Sequence, residues 1–246
     1  MAGRLFTRLA PLIAASLAFG AARAADSATL EQTVTIAGLF SAEQAKAFAP
    51  TMRADRKVTF RTRVPPGPGP HGVLVFVHPG NSALPMPGWV EVLDRRNLAY
   101  IAAEGFGNDQ PGNQRALAAL LGLTHLSRTQ QIDAARRYIG GMSGGGKMAT
   151  QVLTRFPSFF DGALCIVGAE FVAPRGGLAP ELAGKRVVFM TGDRDFNHFD
   201  VLAVYRRFRA AGIAGAHLMD IPGFGHQYPD ARQLDKALEL LDAQPR

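Results

Sequence analysis

The sequence predicts an α/β fold, a mostly parallel central sheet with helices on both faces and no separate lid domain. Three observations predict it. Continuous apolar runs such as GVLVFVHPG, GALCIVGA and RVVFMTGD read as strands buried on both faces. Between them lie segments whose apolar residues recur at helical spacing, and strands that alternate with helices call for a parallel sheet. At GMSGGG a strand passes into a helix with almost no loop, a turn that only small neighbouring residues allow.

The elements follow in order. Residues 25–50 are alanine-rich and weakly patterned, with FSAEQAKAF as a short helix start, and their purpose is not legible. VTFRTRV (58–64) alternates like a half-exposed strand, and PPGPGPHG (65–72) is a rigid turn into GVLVFVHPG. This pairing predicts an antiparallel entry into a sheet that then becomes parallel. WVEVLDRR is a short helix and LAYIAAEG a strand. NQRALAALLG sets Leu117, Leu120 and Leu121 on one helical face, with Gly122 as its cap. TQQIDAARRYI reads as a helix through Ile132, Ala135 and Ile139 leading into the next strand. GALCIVGA and RVVFMTGD are strands, and FDVLAVYRRFRAAG is a helix on Val201, Val204, Tyr205 and Phe208 that ends at Gly212. AHLMDIPGFG is the last strand. ARQLDKALELLDA closes the fold, with Leu234, Ala237, Leu238 and Leu241 inward and Asp230 as N-cap.

With 246 residues, 47% of them hydrophobic and 19% charged, the chain suits one globular domain. Residues 1–24 read as a secretory signal: Arg4 and Arg8 at the start, an apolar run, and Ala22-Arg23-Ala24 as the cleavage site. The run is short for a spanning helix, so no stable membrane anchor is expected after cleavage. The domain then spans 25–246 with its core from about 58, in an exported, periplasmic or secreted protein. Cleavage lowers the formal charge from +7 to +4, because Arg4, Arg8 and Arg23 leave with no acidic residue. The remaining arginines lack interleaved aromatic rings, so they read as a solvated basic face and not as a nucleic-acid surface. Cys165, the one cysteine, permits no internal disulfide and reads as a buried small hydrophobe.

Gly141, Met142, Ser143, Gly144 and Gly145 spell G-x-S-x-G, in which the serine sits in a strained turn beside the free N–H groups of a helix start. Gly141 to Lys147 also begins a phosphate-binding loop. Met148 then stands where a hydroxyl should meet magnesium, and a thioether does not ligate that hard cation. In an α/β sheet, functional groups gather at the carboxyl ends of the strands. There the chain offers His78-Pro79-Gly80-Asn81, Ser143, Gly192-Asp193-Arg194-Asp195 and Gly223-Phe224-Gly225-His226. A serine nucleophile needs a base, and the base an orienting acid; the chain order Ser143, Asp195, His226 supplies both.

From about residue 58 onward the chain resembles the α/β-hydrolase superfamily, and within it the secreted esterases grouped with polyhydroxybutyrate depolymerases and feruloyl esterases. GMSGGGKMATQVLTRFPSFFDGALCIVGA, TGDRDFN and PGFGHQYP carry the resemblance. It implies Ser143 as nucleophile, His226 as general base and then acid, Asp195 as its orienter, a hydrolysed acyl-enzyme, and no cofactor. The strand that usually ends in H-G ends here in H-P-G-N. Pro79 has no N–H, which leaves Gly80 or Asn81 to complete the oxyanion hole with Gly144. A single cysteine and the lack of an added binding domain depart from the depolymerase pattern.

Asp193 competes for the acid role, but the third position after Gly192 is Asp195, and Asp193 suits a loop cap. His198, close to Asp195, is the one rival base. His78, Trp89 and Phe224 are candidate substrate contacts, each with a packing role as its alternative. No histidine pair has metal-ligand spacing, so no metal is expected. The expected substrate is a small-molecule ester, or an ester linked to a polysaccharide or polyester. The other readings are a peptidase, thioesterase or acyltransferase with the same triad, and a periplasmic binding protein without turnover.

Overall fold

Strand β3 (His71–Val77) is buried at every residue, as its unbroken apolar run requires, and the sheet is built around it. The computed structural model describes residues 29–172 and 180–243. The expected signal segment lies outside the described residues, and no described helix is long and apolar enough to cross a membrane. The other strands are β1 (Leu30–Val34), β2 (Val58–Arg63), β4 (Leu98–Ala103), β5 (Ile132–Met142), β6 (Gly162–Ile166), β7 (Arg186–Thr191) and β8 (Gly215–Asp220). They form one eight-stranded sheet in the order β1-β2-β4-β3-β5-β6-β7-β8. β1–β2 and β2–β4 are antiparallel, and every pairing from β4 through β8 is parallel. The antiparallel entry is present, although β2 pairs with β4 and not with β3, which follows it in sequence.

The two-residue period of the strands divides the core in two. Val73, Val75, Ile101, Ile139, Cys165 and Phe189 face one side. Leu74, Phe76, Tyr100, Tyr138, Leu164 and Met190 face the other. The first side is covered by α4 (Gly112–Thr129), α5 (Gly144–Arg155) and α6 (His198–Ala210). The second is covered by α3 (Trp89–Arg95) and α7 (Ala231–Asp242). In α7 the Asp230 side chain accepts from Gln233 N while the Gln233 side chain accepts from Asp230 N, and Leu234, Ala237, Leu238 and Leu241 are buried as expected. Cys165 is fully buried, which pushes its thiol pKa up and leaves it as core packing.

Residues 25–50 contain an edge strand, β1, followed by two short helices, α1 (Ile36–Leu39) and α2 (Ala42–Lys46), the second within FSAEQAKAF as expected. Three expectations are corrected. Gly122 lies inside α4 and caps nothing; a Cβ there would stand 3.1 Å from Phe60 Cε1, so the glycine lets the helix sit close on the sheet. The segment from Ile132 is strand and not helix, because partners distant in sequence hold it extended. Arg136 donates to Asp242 and Arg96 O, and Arg137 to Asp161. The arginines are not all a solvated face either, since Arg63 is buried against Asp94 and Arg61 bridges Glu31 and Glu104.

Candidate active site

Ser143 joins β5 to α5 with φ 55° and ψ −120°. An L-residue with a Cβ avoids this region, at a cost on the order of 1–3 kcal/mol, so the surrounding fold must impose it. Ser143 N donates to Ile166 O at 2.8 Å, and Lys147 N to Ser143 O at 3.1 Å, which fixes the peptide on either side. Gly145 makes the turn possible, because a Cβ there would lie 1.8 Å from Val77 O. The start of α5 is therefore pressed against the end of β3.

His226 Nδ1 and Asp195 Oδ1 are 2.8 Å apart. The Asp195 side chain has no solvent exposure. Thr191 Oγ1 donates to its Oδ2 at 3.0 Å and Asn197 N to its Oδ1 at 3.1 Å, so the carboxylate is held from two sides. With Nδ1–H given to Asp195, His226 presents Nε2 as a free base. Asn197 Nδ2 donates to Val167 O at 2.9 Å, tying the acid loop to the end of β6, which also holds Ser143 N. Ser143 Oγ makes no hydrogen bond among the described residues.

The segment after β3 is anchored through its carbonyl oxygens. Pro79 O accepts from Asn108 N at 2.8 Å and Asn81 O from Gly105 N at 2.9 Å, while Asn81 Oδ1 accepts from Gly107 N at 3.2 Å. The N–H groups of Gly80, Asn81 and Gly144 donate to nothing among the described residues. They are available to a developing oxyanion.

Comparison with solved structures places this architecture. A hyperthermophilic esterase from the archaeon Pyrobaculum calidifontis superposes with a TM-score of 0.62 at 11% identity, over 96% of this chain and 88% of that chain. A dienelactone hydrolase from Anabaena variabilis does so at 0.57 and 18% identity, over 86% of this chain and 94% of that one. Est1E from Butyrivibrio proteoclasticus gives 0.57 at 14%, over 76% and 96%. The chain has the α/β-hydrolase fold. No protein-family model matches the sequence, and no curated protein does either.

Within this α/β-hydrolase frame the rival residues are placed elsewhere. Asp193 Oδ1 accepts from Gly223 N at 2.6 Å, capping the loop that carries His226. His198 Nε2 pairs with Asp220 at 3.0 Å. Trp89 is fully buried and donates Nε1–H to Pro229 O at 2.9 Å, so its expected contact with substrate gives way to packing. Phe224 is 2% exposed and is corrected likewise. His78 is also buried, with both ring nitrogens bonded to tyrosine hydroxyls, Tyr228 at 3.0 Å and Tyr100 at 2.7 Å, so it too is not a substrate contact. All three point into the layer between sheet and helices.

The sequence reading missed several neighbours of the site. Phe196 is 77% exposed and its ring stacks on His226, with centroids 4.0 Å apart and planes 23° apart. Its signal was an apolar residue in a polar loop directly after the acid. The Asn108 side chain lies over Gly144, where an added Cβ would meet its Oδ1 at 2.2 Å. Tyr228 and Thr191 stood within the quoted histidine and acid motifs. Arg115 left a fainter signal, a cation at helical spacing from the small buried residues Ala118, Ala119 and Gly122.

Proposed function

We propose that this α/β-hydrolase chain is an exported serine hydrolase that cleaves carboxylic esters. The observation that carries the reading is Ser143 held at φ 55° in the strand-to-helix turn, with a His226–Asp195 pair whose loop is tied to the same end of β6 that holds Ser143 N. Strain of this kind at a G-x-S-x-G turn supports a serine presented for reaction.

In the mechanism, Ser143 Oγ attacks the ester carbonyl as His226 Nε2 takes its proton. The carbonyl oxygen becomes an oxyanion facing Gly144 N–H and the N–H of Gly80 or Asn81. Asp195 stabilises the imidazolium while remaining ionised. His226 then gives the proton to the departing alkoxide, leaving Ser143 acylated. Water, deprotonated by the same imidazole, releases the acid and restores the serine. The exposed face beside Phe196 favours small or polymer-linked esters that approach from solvent.

The test is hydrolysis of 4-nitrophenyl acetate, and then of longer esters, by the mature chain and by Ser143→Ala and His226→Ala. Turnover that both substitutions reduce by at least about 10³-fold supports the proposal. Equal turnover in Ser143→Ala would end it.

A further inference from the structure

Arg115, in the first turn of α4, is 6% exposed and donates to three main-chain carbonyl oxygens. Nε donates to Phe106 O at 3.1 Å, Nη2 to His78 O at 3.1 Å and Nη1 to Gly144 O at 3.4 Å. A guanidinium is a planar fork with five donors, and it stays cationic when buried.

The three carbonyls belong to the three segments around the oxyanion position. His78 O precedes Pro79 and Gly80. Gly144 O belongs to the residue whose N–H follows the nucleophile. Phe106 lies in the loop whose Gly105 N and Asn108 N hold Asn81 O and Pro79 O. No atom stands within 4 Å of where a Gly80 Cβ would be, but Gly107 lies against the Gly80 backbone, where an added Gly107 Cβ would meet Gly80 C at 2.9 Å. Gly80 N–H shares its peptide with Pro79 O, which Asn108 N holds.

We infer that Arg115 is a positioning residue for the oxyanion hole: its fork holds the His78–Pro79 and Gly144–Gly145 peptides, the neighbours of those carrying Gly80 N–H and Gly144 N–H, and the Phe106 loop whose N–H groups hold Pro79 O and Asn81 O. Its charge also offsets the negative ends of the His78 and Gly144 carbonyls, which would otherwise oppose an anion forming nearby. The inference rests on the serine-hydrolase reading above and deepens it.

The experiment compares the full mature chain with Arg115→Met and Arg115→Lys. It measures kcat and KM on 4-nitrophenyl acetate, inhibition by an alkyl trifluoromethyl ketone and by the matching methyl ketone, and thermal unfolding. The trifluoromethyl ketone adds to the serine and places an oxyanion in the hole; the methyl ketone does so far less. In Arg115→Met, kcat falls by about 10- to 100-fold with KM within about twofold, and trifluoromethyl ketone affinity falls by a similar factor while methyl ketone affinity holds. Arg115→Lys keeps the charge without the fork and gives an intermediate loss. It also decides the question by the same ratio of ketone affinities if Arg115→Met does not fold. Variants that melt earlier but keep wild-type kcat and ketone ratio would overturn the inference, leaving Arg115 a structural tie. A folded wild type without Ser143-dependent turnover would instead remove the hydrolase reading, and this inference with it.

Discussion

Tyr228 and His78, 150 residues apart in sequence, are joined by a 3.0 Å hydrogen bond that locks the histidine loop to the end of β3. The direction of that bond follows from its neighbours. Tyr100 donates its hydroxyl proton to Ala83 O at 3.0 Å, so it accepts from His78 Nε2–H at 2.7 Å. Nδ1 is then the acceptor, and Tyr228 is the donor. Since Tyr228 follows His226 by two residues, Tyr228→Phe leaves Nδ1 unpaired and loosens the loop that carries the base. We expect a stability loss of about 1–2 kcal/mol in urea unfolding, with a fall in kcat. Unchanged values for both would remove this bond from the account.

His78 also gives the fold a pH dependence. Burial lowers its pKa from 6.5 to about 4, so the folded state holds it neutral where the unfolded chain is already charged. The stability it contributes is complete above pH 6.5 and is lost as pH falls toward 4, by about 3 kcal/mol in all. His125 and His217 are shifted down by burial too, and they add with the same sign. Urea midpoints between pH 7 and pH 4 should fall more steeply in the wild type than in His78→Asn. Parallel curves would contradict the assignment.

The acid loop makes a graded prediction. Asp195→Asn removes the charge that orients His226 and should lower kcat by on the order of 10³- to 10⁴-fold with little change in fold. Thr191→Val removes only the bond to Oδ2, leaving that oxygen buried without its partner. Its expected cost is about 1–3 kcal/mol of stability with a much smaller loss of kcat. Steady-state kinetics beside chemical denaturation separates the two, and a reversed ranking would argue against Asp195 as the orienting acid.

The contact between α5 and β3 leaves no room at Gly145. Both sides of the clash at 1.8 Å involve backbone, so no side-chain rotation relieves it. Gly145→Ala should destabilise by more than about 4 kcal/mol and yield little folded protein. Circular dichroism of the purified variant checks this, and a wild-type melting curve would be inconsistent with the elbow described here.

The parts of this architecture that depend on local pattern were legible. The buried strands and the helix over Ala231–Asp242 with its Asp230 cap follow from neighbours within a few residues. What failed depends on distant partners. DAARR between Asp133 and Arg137 favours a helix, yet Arg136 and Arg137 reach acids on α7 and before β6 and hold the segment in the sheet. For Trp89 the sequence leaves substrate contact and packing open, because an aromatic beside a site can face either way, and its indole N–H finds Pro229 O, 140 residues on. Arg115 and Tyr228 act across loops that only the folded chain brings together.

The central claim is that Ser143 is an activated nucleophile. The most direct measurement is intact-mass and peptide mapping of the purified chain after exposure to a fluorophosphonate probe, with Ser143→Ala and His226→Ala in parallel. The account predicts one adduct per chain, on Ser143, absent in the serine variant and formed much more slowly in the histidine variant. A folded wild-type chain that takes up no probe, or takes it up elsewhere, would contradict it.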